Sequence, residues 1–168
     1  SLLGKFPAQN TLPSHLEKFV VFVGWGRSGH SYIGQVLNAH KDIVIGNEGA
    51  LAEYLQLDPS AQGIFNYILF LDYAFSKRGY QKIYSRKKSK NVKHPQNNQN
   101  FFIEGGYQGF FDDQLKVIGN SKAAATTYAL SQDPGLLDKL GEYTGLEPMV
   151  IFIARHPRDI VASKIKRT

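Results

Sequence analysis

The residues best suited to chemistry form one short run, Gly24-Trp25-Gly26-Arg27-Ser28-Gly29-His30-Ser31. It fits the phosphate-loop pattern G-x4-G-K-[ST] at every position but one. Glycines at such spacing let the backbone wrap an anion, and a following helix turns its first N–H groups and positive dipole end towards it. Ser31 falls where a hydroxyl reaches a phosphate or a metal. The lysine that would reach β- and γ-phosphates is replaced by His30, which argues against a triphosphate, and a permanent cation, Arg27, sits inside the loop instead. The same glycine spacing also serves a plain strand-to-helix turn. The apolar run before it, the helical pattern after it and the embedded arginine favour an anion cradle, in which Gly26, Arg27, Ser28, Gly29, His30 and Ser31 are the candidate binding residues.

A second run, Arg155-His156-Pro157-Arg158-Asp159-Ile160-Val161-Ala162-Ser163, follows another apolar stretch. Arg155 stands at a strand's carboxyl end, where an arginine fork suits a phosphate monoester. Pro157 fits a helix start, Asp159 complements the dipole, and Ser163 lies on that helix. A surface cluster of mutually paired charges is the plainer reading of this run taken alone. Glu48 and Lys122 each come just after a predicted strand, Glu48 beside Gly49 and Lys122 in Gly119-Asn120-Ser121-Lys122. A helix-capping glutamate and a solvated lysine are their plainer readings. His15, His40, His94 and His156 lack carboxylate or histidine partners at ligand spacing, so no metal site is expected. Asp112-Asp113 reads as a solvated turn, and Glu104 before Gly105-Gly106 is not taken as a site residue.

The elements that must position these residues follow from periodicity. Phe19 to Val23 is a continuous apolar run of β-branched and aromatic residues, hence a buried strand. Further strands are predicted at Ile43 to Ile45, Leu115 to Ile118 and Met149 to Ile153. Tyr32, Ile33, Val36 and Leu37 recur at helical spacing, as do Ile64, Tyr67, Ile68, Leu71 and Phe75. Helices are also predicted over Ala50 to Leu57, over Pro134 to Tyr143 and from Pro157 onward. Strands alternating with helices imply an α/β fold, a parallel sheet covered on both faces, with ligands bound outside the carboxyl ends of its strands. The loops after Val23, Ile45, Ile118 and Ile153 should then share one crevice.

The chain of 168 residues has room for a single domain. Its 42% hydrophobic and 20% charged residues suit a globular protein, and no apolar run is long enough for a membrane span. Absence of cysteine removes disulfides, thiolate nucleophiles and cysteine-bound metals, and favours a cytoplasmic over a luminal location. Ser1 in place of an initiator methionine is consistent with a removed leading segment. The formal charge of +6 is local: without the eight Lys and Arg residues from Lys77 to Lys93 it would be −2. That concentration speaks against a general nucleic-acid-binding face. Residues 79–100, basic and then rich in asparagine, are expected to form an exposed excursion, and the basic run 77–93 to be a solvated face or a clamp for an anionic acceptor such as an acidic glycan or peptide.

At this point a family resemblance emerges. Phe22 to Ser31 resembles the 5′-phosphosulfate loop of the sulfotransferase family, in the arginine form of tyrosylprotein and several bacterial and carbohydrate sulfotransferases. Residues 155–163 resemble its 3′-phosphate motif, R-x-P-[RK]-D-x3-S, with Arg155 and Ser163 in the binding positions. His30 departs from the family's usual threonine. The resemblance implies a P-loop-like parallel sheet, with 3′-phosphoadenosine 5′-phosphosulfate as sulfuryl donor and a carbohydrate, peptide or small-molecule acceptor. It further implies catalysis through Arg27, through Glu48 as general base (21 residues after the loop arginine) and through Lys122 near the leaving oxygen. Family members continue past the point where this chain stops with further helices and a glycine- and lysine-rich loop, so the resemblance implies a shortened protein or a fragment. The competing readings are a P-loop kinase or nucleotide hydrolase, which calls for ATP and magnesium, and a non-catalytic polyanion-binding module built on residues 77–93.

Overall fold

The computed structural model describes residues 13–47, 49, 51–55, 60–75, 106–107 and 114–165. Four strands form one sheet: β1 Lys18–Gly24, β2 Ile43–Gly46, β3 Val117–Asn120 and β4 Glu147–Ile153. All neighbouring pairs are parallel, and the order is β2-β3-β1-β4. The α/β expectation and the four strand positions are therefore met, with two shifts. The fourth strand starts at Glu147, two residues before the apolar pattern suggested. The third strand starts at Val117, two residues later than the apolar pattern suggested, and extends through Gly119 and Asn120. Leu115 is buried, but it packs in the core ahead of the strand. Gly119 belongs in the strand despite its poor propensity because a side chain there would run into the Val20 carbonyl of β1.

Helix α1 His30–Leu37 connects β1 to β2, passing β3. Helices α2 Leu51–Tyr54 and α3 Ala61–Phe75 connect β2 to β3. Helices α4 Ala123–Gln132 and α5 Leu136–Thr144 carry the chain across β1 to β4, and α6 Pro157–Ile165 follows. Helix α4 was not anticipated. Its sequence, Ala-Ala-Ala-Thr-Thr-Tyr-Ala-Leu-Ser-Gln, has no strong apolar stripe, so periodicity had nothing to detect.

Alternation along β1 divides the core. Phe19 and Val21 face a cluster with Val44 of β2, Ile118 of β3, and Leu51, Ile64, Phe65, Ile68 and Leu140 of α2, α3 and α5. Val20 and Phe22 face the other way, with Ile45 and with Ile33 and Leu37 of α1. Crossovers running in opposite directions place their helices on opposite faces, because each crossover is right-handed. They part between β1 and β3, so the switch point lies at the carboxyl ends of these two strands. Among the described residues no helix is long and apolar enough to cross a membrane.

Candidate functional site

The loop after β1 is shaped by unusual backbone. Gly24 has φ 139°, and a Cβ there would lie 2.5 Å from the Ile153 carbonyl oxygen of β4. Only glycine permits both this torsion and the approach of the neighbouring strand. Its N–H donates to Thr127 Oγ1 of α4 at 2.8 Å, which fixes the loop's departure against that helix. The Ser28 N–H donates to the Trp25 carbonyl at 3.2 Å and closes a turn. The Trp25 side chain is 77% exposed. Arg27 has φ 72°, the one non-glycine residue with positive φ among those described. A non-glycine backbone held there is strained, and such strain gathers at functional sites. Gly29, φ 105°, then caps α1 without a side-chain bond, and no acidic residue stands in the first turn. The positive end of α1 is thus directed at the loop with no protein carboxylate from that turn beside it. Ser28 Oγ and His30 Nδ1 lie 3.5 Å apart.

The second run meets this loop directly. Arg27 Nε and Nη2 donate to Ser163 Oγ of α6 at 3.0 and 2.8 Å. Arg155 Nη1 donates to the Arg27 carbonyl at 3.1 Å. Two segments far apart in the chain therefore share one cationic corner, in which Arg27 is bonded both to Ser163 and to Arg155. The sheet makes this meeting inevitable: β1 and β4 pair in register from Lys18 opposite Glu147 to Gly24 opposite Ile153, so both strands end at the same level. Arg158 and Asp159 are exposed, and the Arg158 N–H donates to His156 Nδ1 at 3.3 Å.

The loops after β2 and β3 are joined as well. Ser121 Oγ donates to Asn47 Oδ1 at 2.9 Å, and the Ser121 N–H donates to the Gly46 carbonyl at 3.0 Å. Asn120, fully buried, donates to the same carbonyl and accepts from the Lys122 N–H at 3.0 Å. Asn47 directly precedes Glu48, and Ser121 directly precedes Lys122. Their bond ties the chain on either side of the crevice where these two were expected to act. Lys122 is half-buried at the start of α4. Glu48 itself lies outside the described residues, as do Glu104, Asp112, Asp113, His94 and the basic run 77–93. No cluster of three or more metal-ligating side chains occurs among the described residues.

Sequence reasoning missed the role of Thr127. Its hydroxyl lies between the Gly24 N–H and the Gly24 and Ala123 carbonyls, at 2.8, 3.2 and 2.9 Å. No local signal marks it, because the helix that carries it had no periodic signature. In comparisons with known proteins, no family model, no curated protein and no solved structure matches the chain.

Proposed function

We propose that this chain is the nucleotide-binding core of a sulfotransferase, moving a sulfuryl group from 3′-phosphoadenosine 5′-phosphosulfate to an acceptor hydroxyl or amine. The observation that carries this reading is the contact of Arg27 with Ser163 and Arg155. A glycine loop at a helix start accounts for one anion. A second cationic position, tied to the first through a loop arginine, suits a nucleotide with phosphate groups at both the 5′ and 3′ positions. The residues fit such a ligand. The strained loop directs α1 at the 5′ end, and Arg155 with Ser163 offers a fork and a hydroxyl for the 3′-phosphate.

The bound nucleotide supplies the sulfuryl group and leaves as 3′,5′-adenosine bisphosphate. An acceptor oxygen or nitrogen forms a bond to sulfur while the sulfur–oxygen bond to the 5′-phosphate breaks, and the electron pair leaves with the phosphate oxygen. Glu48, positioned after β2, takes the acceptor proton. Arg27 places fixed positive charge beside the transferring group, and Lys122 does so beside the leaving oxygen. The serine that orients Arg27 keeps that charge aimed before the acceptor arrives.

Thermal unfolding separates this reading from its rivals, since a ligand that binds only the folded state raises its stability. 3′,5′-Adenosine bisphosphate should raise the transition temperature and magnesium-ATP should not. Stabilisation by magnesium-ATP alone would favour a kinase or hydrolase and refute the sulfotransferase reading. Indifference to both, with salt-sensitive binding of heparin, would indicate a polyanion module.

A further inference from the structure

Three asparagine side chains are buried among the described residues, Asn38, Asn47 and Asn120. A carboxamide carries an accepting oxygen and a pair of N–H donors, and burial makes each unmade bond costly. Asn38 engages both ends: Nδ2 donates to Asp72, and Oδ1 accepts from the Ile45 N–H at 2.9 Å. Asn120 does the same, donating to the Gly46 carbonyl and accepting from the Lys122 N–H. Asn47 bonds through its oxygen alone. Its Oδ1 accepts from the Ser121 hydroxyl at 2.9 Å, and its Nδ2 meets no acceptor among the described residues, although the residue is only 8% exposed. Buried polar groups in folded proteins are nearly always bonded, so these donors call for an acceptor from beyond the chain itself.

The place of Asn47 says what that acceptor is. It stands at the carboxyl end of β2, one residue past Gly46, and its partner Ser121 stands one residue past β3. Ser121 is fully buried against α1: a Cβ on Gly34 would lie 2.8 Å from Ser121 Cβ and 3.1 Å from its Oγ. Gly34 is about one turn along the helix from Ser31, so the pair lies beside the half of α1 that starts at the phosphate loop. In the chain, Asn47 precedes Glu48, assigned to the acceptor proton, and Ser121 precedes Lys122, assigned to the leaving oxygen. An in-line displacement holds the sulfur between the attacking atom and the leaving oxygen, with its other oxygens carrying negative charge around it. A neutral N–H donor suits such an oxygen. We infer that Asn47 is a further binding residue of this site, whose carboxamide N–H groups donate to a sulfuryl oxygen of bound 3′-phosphoadenosine 5′-phosphosulfate. Ser121 is its positioning residue, because the hydroxyl occupies the carboxamide oxygen and leaves the N–H end for the ligand. The assignment rests on the sulfotransferase reading, and it adds a residue that tells the sulfated donor from its desulfated product.

The test is calorimetric titration of the wild type, Asn47→Leu and Ser121→Ala with the donor and, separately, with 3′,5′-adenosine bisphosphate, no acceptor being present. The sulfuryl group is what distinguishes the two nucleotides. Asn47→Leu nearly keeps the side chain's size and removes its donors. Donor affinity should fall roughly tenfold or more, as for a lost hydrogen bond to a charged group, and bisphosphate affinity should stay within about twofold. Ser121→Ala keeps the donors but frees the carboxamide to turn, so donor affinity should fall about threefold, again with little change for bisphosphate. This second variant decides the matter if Asn47→Leu loses its cooperative unfolding transition. Equal losses for both nucleotides would make Asn47 a support of the loop and overturn the assignment. Unchanged donor affinity in a folded variant would overturn it too, since Nδ2 would then hold water alone. Both outcomes leave the nucleotide reading standing. Failure of the wild type to bind bisphosphate would remove the role of Asn47 together with the function on which it rests.

Discussion

Arg27 carries two separable burdens, a guanidinium that reaches Ser163 and a backbone in the left-handed region at φ 72°. Alanine and glycine at this position dissect them. Both remove the side chain, but only glycine adopts the left-handed conformation without steric cost, which for other residues is on the order of 1–2 kcal/mol. Arg27→Gly should therefore be more stable than Arg27→Ala by about 1 kcal/mol in urea unfolding. Both should lose bisphosphate binding and sulfuryl transfer alike. Equal stability of the two variants would mean that the loop relaxes once the arginine is gone. Retained transfer in either would remove Arg27 from the chemistry.

Among the elements, the join between β1, β4 and α4 is the least tolerant. Gly24 has no room for a methyl group beside the Ile153 carbonyl, and its torsion is unfavourable for any other residue. Gly24→Ala should destabilise the protein by roughly 2–4 kcal/mol. Its bisphosphate affinity should fall as well, because the same displacement moves the loop. A gentler case is the link between α4 and α5. The Lys139 ammonium, bonded to Asp133, holds that carboxyl below its ordinary value of 3.8. A lowered folded value means that the pair's contribution is complete above the ordinary value and is lost as pH falls below it. Asp133→Asn should therefore lower the thermal midpoint slightly near neutral pH, and the gap should close well below pH 3.8. A gap that persists in acid would assign the loss to the turn geometry at Asp133.

These elements also mark how far the sequence could be read. The Phe19 to Val23 run, the glycine spacing after it and the helical recurrence from Tyr32 to Leu37 are local signals, and they located β1, the loop and α1 to within two residues. The placement of Arg155 and Ser163 near the loop followed from strand alternation, since parallel strands end on one side. Nothing local could show that Ser163 Oγ lies 2.8 Å from Arg27, because the order β2-β3-β1-β4 and the register of β1 with β4 decide that distance. Helix α4 was equally hidden, because its alanines and threonines present no apolar period to read.

At the scale of the whole molecule, the sheet is finished unevenly. β2 stands at one edge with Val44 and Ile45 fully buried. β4 stands at the other edge with Met149, Val150 and Phe152 exposed, Phe152 at 71%, and α6 beyond it exposes Val161 and Ile165. Parallel strands are ordinarily covered on both faces, and an open edge with apolar side chains is a template for association. Alternation places Met149 on one face of β4 and both Val150 and Phe152 on the other, so neither face is fully shielded among the described residues. This chain alone in solution should therefore associate as its concentration rises, seen as a growing mean mass in sedimentation equilibrium. Phe152→Glu should hold the protein nearer to monomer, since a charge on the edge opposes pairing and the exposed side chain contributes little to the core. The thermal midpoint of dilute protein should change little, and bisphosphate should stabilise both forms equally, because Phe152 supplies none of the hydrogen bonds that join Arg27, Arg155 and Ser163. A variant that associates as readily as the wild type would place the self-contact away from the β4 edge.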